Sequence, residues 1–90
     1  MQVTVQYSAQ ARTATGTASE TIDLERATSI RSVLVQLADK HGDGLRKILL
    51  TGQGDVHQAL LLFVGDEQVD AARELHAGDV LSILPPLAGG

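Results

Sequence analysis

The residues best placed to do chemistry are the last six, Pro85-Pro86-Leu87-Ala88-Gly89-Gly90. Glycine has no Cβ, so Gly89 and Gly90 can enter a channel too narrow for side chains and adopt any φ there. A carboxylate at the end of such a segment has a reference pKa of about 3.3–3.7, so it is ionised at neutral pH and is a poor acyl donor. It becomes one only when a partner enzyme activates it, as an acyl-adenylate made with ATP. The expected catalytic group is therefore the carboxylate of Gly90, with Gly89, Ala88, Leu87, Pro86 and Pro85 forming the segment that a partner's channel binds. From Leu87 to Gly90 an extended chain spans about 13 Å.

No other residue set competes. His41, His57 and His76 are far apart and have no partner at ligand spacing, so each reads as a surface histidine and no metal site is expected. The chain has no cysteine, hence no thiolate chemistry and no need of disulfides. No serine lies in a nucleophile elbow. Thr51-Gly52-Gln53-Gly54-Asp55 lacks the spacing of a phosphate-binding loop. Asp66 and Glu67 read as solvated turn residues, and Asp79 as shaping the turn before the last strand. The chain is expected to have no internal catalytic residue and no bound cofactor.

The tail must be carried by something. Val80 to Leu84 is a β-branched and leucine run after the turn Ala77-Gly78-Asp79, and it predicts a final buried strand. The two prolines end it, because proline lacks the ladder N–H and fixes its own φ. Upstream, Gln2 to Tyr7 alternates, with Val3, Val5 and Tyr7 on one side. Ser8 to Ser19 is small and polar around Gly16 and predicts a loop or hairpin turn. Glu20 to Leu24 predicts a second strand with Ile22 and Leu24 inward. Thr28 is the N-cap candidate for a helix over Ser29 to His41, whose Ile30, Val33, Leu34, Leu37 and Ala38 form one apolar stripe. Gly44 to Leu50 predicts a helical turn. Ala59 to Val64, uninterrupted and apolar, predicts a central strand covered on both faces. A short strand, Glu67 to Val69, follows, and then an irregular stretch or brief turn of helix from Asp70 to Leu75.

This order is α+β: a mixed sheet of about five strands packed on one main helix. The helix covers one sheet face. The other face receives half of the Ala59–Val64 run and Val80 and Leu84 around Ser82, with Thr4, Gln6 and Ser8 beside them. Leu84, Val80 and Gln68 are the candidate partner-docking residues.

The stretch from Gly78 through Val80–Leu84, Pro85-Pro86 and Leu87-Ala88 to Gly89-Gly90 resembles the C-terminal signature of the MoaD/ThiS sulfur carriers, which have the ubiquitin-like β-grasp fold. Ala9-Gln10-Ala11-Arg12 is similar to the segment after the first strand of molybdopterin synthase small subunits. Leu62 to Val69 resembles the family's late hairpin, with Gly65 where an Asn is usual. The resemblance implies a β-grasp domain over residues 1–84 and an extended tail over 85–90. It implies that a ubiquitin-activating (E1-like) enzyme adenylates Gly90 with ATP. Sulfur then replaces AMP, and the thiocarboxylate delivers it to a substrate held by a synthase large subunit or another sulfur-accepting enzyme. The tail is most similar to the molybdopterin synthase small subunit, a sulfurtransferase subunit with no catalytic side chains of its own. Residues 57–69 resemble carriers for cysteine synthesis at least as well, and a thiazole (thiamin) carrier is a third alternative. A ubiquitin-like modifier joined to lysines through Gly90 is a reading of a different class.

Length and composition narrow the class. Ninety residues hold one small domain. The chain is 43% apolar but has one Tyr, one Phe and no Trp, so its core must be aliphatic. The net charge of −4 and seven scattered basic residues argue against nucleic acid as a partner. The N-terminal segment reads as a strand and no apolar run approaches a membrane span, so a cytoplasmic location with no membrane partner is expected.

Overall fold

The computed structural model describes residues 1–86. The expected strands form one mixed five-stranded sheet in the order β2-β1-β7-β4-β5. Its members are β1 (Gln2–Tyr7), β2 (Ser19–Asp23), β4 (Leu61–Val64), β5 (Glu67–Val69) and β7 (Val80–Leu84). The β1–β7 pair is parallel; β1–β2, β4–β7 and β4–β5 are antiparallel. The last strand is therefore the middle strand. A two-stranded ladder, β3 (Thr28–Ser29) with β6 (Glu74–Leu75), lies apart from the sheet.

The apolar stripe of α2 (Ile30–His41) is buried as its spacing requires: Ile30, Val33, Leu34, Leu37 and Ala38 are all inaccessible. They share one core with Val3, Val5 and Tyr7 of β1, Leu62 of β4, and Leu81 and Ile83 of β7. The core is aliphatic apart from Tyr7, as the composition demands. The predicted helical turn is α3 (Asp43–Leu49), with Leu45 and Leu49 fully buried. Gly42 separates the two helices at φ 95°, a backbone state that suits glycine.

Four expectations about the helices and strands need correction. Residues 9–15 are a helix, α1 (Ala9–Thr15), and not a loop. Its buried face is Ala11, with Ala14 half-buried, and a Cβ on Gly44 of α3 would lie 4.0 Å from that of Ala14. A contact made of such small residues leaves no large apolar period in the sequence. The N-cap of α2 is Ser29, whose Oγ accepts from the Ser32 N–H at 3.2 Å; Thr28 is drawn into the ladder opposite Leu75. That ladder also gives the stretch from Asp70 to Leu75 a strand, β6, and buries Leu75. Finally, β4 is covered on one face only. Leu62 is buried, while Leu61 is 43% exposed and Phe63 half-buried.

His41 also differs from a bare surface histidine. Its Nε2 lies 2.5 Å from Oε2 of Glu20, which also accepts from the Tyr7 hydroxyl at 2.6 Å, and Lys40 pairs with Oε1. The Tyr7 and His41 rings meet edge to face at 6.0 Å. This cluster ties the β1–β2 hairpin to the end of α2. Burial first, then the hydrogen bond to Glu20 and its charge, raises the Tyr7 hydroxyl pKa and keeps it protonated. Partial burial pushes the Glu20 carboxyl up, but hydrogen bonds from Lys40, Tyr7 and His41 outweigh it and lower the pKa from 4.5 to about 2.

Because the folded-state pKa is depressed, Glu20 adds stability that is fully present above pH 4.5 and lost as pH falls toward about 2. Urea unfolding of wild type and Glu20→Gln should show wild type ahead at neutral pH and the two converging near pH 2. A gap that stays constant across that range would remove the carboxylate from the account.

Candidate functional site: the tail root and the open sheet face

The parallel pairing of β1 with β7 sets the site. Val5 stands opposite Leu81 and Tyr7 opposite Ile83, so both strands leave the same end of the sheet side by side. After β1 the chain turns through Ser8 into α1; after β7 it enters Pro85-Pro86. Ala9 takes a positive φ of 52°, unusual for a residue with a Cβ, where the chain turns into α1. The next residue reaches the tail: Gln10 Nε2 donates to the Pro86 carbonyl at 2.7 Å. Pro85 is buried. The tail expected to start at Pro85 is therefore held to the body through Pro86.

Beside Pro86 is a groove of about 240 Å³, lined by Gln10, Lys47, Ile48 and His57. Its far wall is stitched together, since the His57 ring Nε2 lies 3.1 Å from the Lys47 carbonyl and the His57 N–H donates to the Leu49 carbonyl at 3.0 Å. The expected binding residues Leu87, Ala88 and Gly89 and the expected reacting residue Gly90 lie outside the described residues.

The three candidate docking residues fall on one face. Strand parity sends Leu81 and Ile83 into the core and Val80, Ser82 and Leu84 to the other side, where all three are half-buried. The register runs Gln6, Ser82, Phe63, Gln68 across four strands, which places Gln68 in the same face as Leu84 and Val80. Leu84 pairs directly with Leu61. Leu61 and Phe63 were not singled out from the sequence, because an unbroken apolar run does not reveal which of its residues point inward. Together Leu61, Phe63, Leu84 and Val80 make an apolar strip. Polar neighbours border it: Ser82 Oγ donates to Gln6 Oε1 at 3.1 Å, and Thr4 faces Val80. Among the described residues no group of three or more His, Cys, Asp or Glu side chains could hold a metal ion. No described helix is long and apolar enough to cross a membrane.

Comparison with known proteins agrees with this architecture. The ThiS family model matches residues 5–90. The chain belongs to the ThiS family. Its fold is the ubiquitin-like β-grasp, and its class is that of the ThiS/MoaD-type sulfur carriers. SAMP1 of Haloferax volcanii superposes with a TM-score of 0.89 at 19% identity, covering 100% of both chains. CysO in the BexX/CysO complex of Amycolatopsis orientalis gives 0.69 at 28% identity, over 98% of this chain and 99% of that one. A chain of the complex of subunits 1 and 2 of the molybdopterin-converting factor of Helicobacter pylori gives 0.59 at 22%, over 100% of both. A search of curated protein sequences finds no match.

The parity of β7 can be checked by placing a charge on each side. Leu84→Asp should leave a cooperative urea transition near that of wild type. Ile83→Asp buries an unpaired carboxylate and should abolish the folded state. Equal damage from both would put Leu84 in the core.

Proposed function

We propose that this protein is a sulfur carrier working through the carboxylate of Gly90. An E1-like enzyme adenylates that carboxylate with its own ATP. Sulfur then displaces AMP, and the tail presents the resulting thiocarboxylate to an acceptor held by a second protein. The observation that carries the reading is the family match, which runs through residue 90 of a chain whose tail root issues from a central strand and is pinned by Gln10. In this reading the body supplies no catalytic side chain. It fixes where the tail starts, and the strip of Leu61, Phe63, Val80 and Leu84, with Gln68 at its margin, holds the partner while the tail is in its channel.

For the acceptor, the Pro-Pro-Leu-Ala-Gly-Gly ending favours a pterin precursor on a molybdopterin synthase large subunit, in the cytoplasm. The two-subunit Helicobacter pylori complex supports a partner of that kind. Likeness to CysO bound to BexX supports a different sulfur-accepting enzyme as the partner. The close superposition on SAMP1 favours a second reading, in which Gly90 is joined to lysines of other proteins.

Deleting Gly90 tests the shared first step. The shortened chain still ends in a glycine carboxylate, so its charge and chemistry are kept and only reach is lost, by about 3.3 Å. An attacking carboxylate must sit within about 3–3.5 Å of the reacting phosphorus, and a 1 Å displacement can cost about a hundredfold. Pyrophosphate exchange with the cognate activating enzyme should therefore vanish. It should vanish as well when one Ala is added after Gly90. Near-normal exchange by both variants would mean that the carboxyl terminus is not the reacting group.

A further inference from the structure

Peptide planes are stiff, so the course of the chain from the end of β7 to just past Pro86 is set by the φ and ψ torsions of Pro85 and Pro86. The two rings fix both φ values at about −65°. The Pro86 ring crowds the residue before it and holds ψ of Pro85 extended. Pro85 is also buried, which seats the first ring. One torsion is left, ψ of Pro86, and rotation about it swings the Pro86 carbonyl. That carbonyl is what Gln10 holds, since Gln10 Nε2 donates to it at 2.7 Å from 76 residues away in sequence.

The turn that brings Gln10 there is itself unusual. Among the described residues Ala9 is the one non-glycine residue with a positive φ. Such a backbone state is costly for a residue with a Cβ, and strain of this kind clusters at functional sites. Here it directs the chain from β1 into α1 at the end of the sheet from which the prolines emerge. Gln10 is half-buried and lines the groove with Pro86, Ile48 and His57, while Arg12 and Thr13 of the same helix are exposed.

We propose that Gln10 is a positioning residue for activation of the carboxyl terminus: its side-chain amide locks the last free torsion of the tail root. The inference rests on the reading of Gly90 as the reacting end. Gln10 touches no reacting atom and acts only through the Pro86 carbonyl. Ordering a backbone torsion costs conformational entropy. In this protein that cost is met on folding, so a partner that binds the tail meets a root already set, and such pre-organisation strengthens binding. The gain is the same in the ground state and the transition state. Its loss therefore raises KM and leaves kcat in place.

Two variants of the full chain test this. Gln10→Ala removes the donor; Gln10→Glu keeps the shape, but its carboxylate only accepts at neutral pH and cannot bond a carbonyl. In pyrophosphate exchange with the cognate activating enzyme, both should raise the KM for this protein by about threefold to tenfold, the range of one hydrogen bond, with kcat unchanged. Thr13→Ala, on the exposed side of the same helix, should match wild type in both constants. Urea midpoints of all three should stay near that of wild type. NMR of the free wild-type protein, with no enzyme present, should show scalar coupling across the hydrogen bond between Gln10 Nε2 and the Pro86 carbonyl carbon. Exchange that survives deletion of Gly90 would remove the reading of the reacting end. With that reading intact, absence of the coupling, a KM at or below wild type in either Gln10 variant, or a KM that rises only in step with a fall in stability overturns the role of Gln10.

Discussion

The parallel ladder between the first strand and the last is the constraint on which everything else depends. Four register pairs, Thr4 with Val80 through Tyr7 with Ile83, put the last strand in the middle of the sheet. A middle strand has both edges satisfied by backbone hydrogen bonds and one face buried, so it is hard to displace. The tail therefore starts from a firmly held point of the molecule. Because the ladder is parallel, β1 and β7 also end together, and this brings α1 to the prolines. The hydrogen bond from Gln10 to Pro86 follows from that direction; an antiparallel pair would send the two chain segments out of opposite ends of the sheet.

Much of this was legible in the sequence, for reasons that differ by element. The stripe of α2 and the alternation of β1 are made of large side chains at regular spacing, and large buried side chains carry the periodic signal. The end of β7 at Leu84 was legible because the two prolines that follow lack the ladder N–H and fix their own φ. Helix α1 was not legible because Ala11 and Ala14 bury almost nothing that hydropathy can register, although that smallness is what lets α1 approach α3. The ladder of β3 with β6 was hidden for another reason. Two-residue strands have no period, and the choice of Ser29 over Thr28 as N-cap turns on a pairing with residues far along the chain. The contacts of His41 are hidden as well, because the sequence does not show that Glu20 and Tyr7 come to meet it.

The open face illustrates a further limit. Hydropathy placed apolar residues in Ala59–Val64 without saying which of them point outward. Only the register against β7 does so, and it selects Leu61 and Phe63. The resulting division of labour is simple. One sheet face builds the domain, the other offers an apolar strip, and the end of the middle strand carries the tail. On the proposed reading, such a molecule presents its end group to an enzyme for activation.

The most direct test of this account is the intact mass of the protein after incubation with its activating enzyme, ATP and a sulfur donor. The chain has no cysteine, so sulfur has no thiol side chain on which to rest as a persulfide. The account predicts a mass gain equal to the exchange of one oxygen for one sulfur, located by fragmentation in the segment ending at Gly90. Sulfur found elsewhere in the chain, or the same gain in a chain that lacks Gly90, would contradict it.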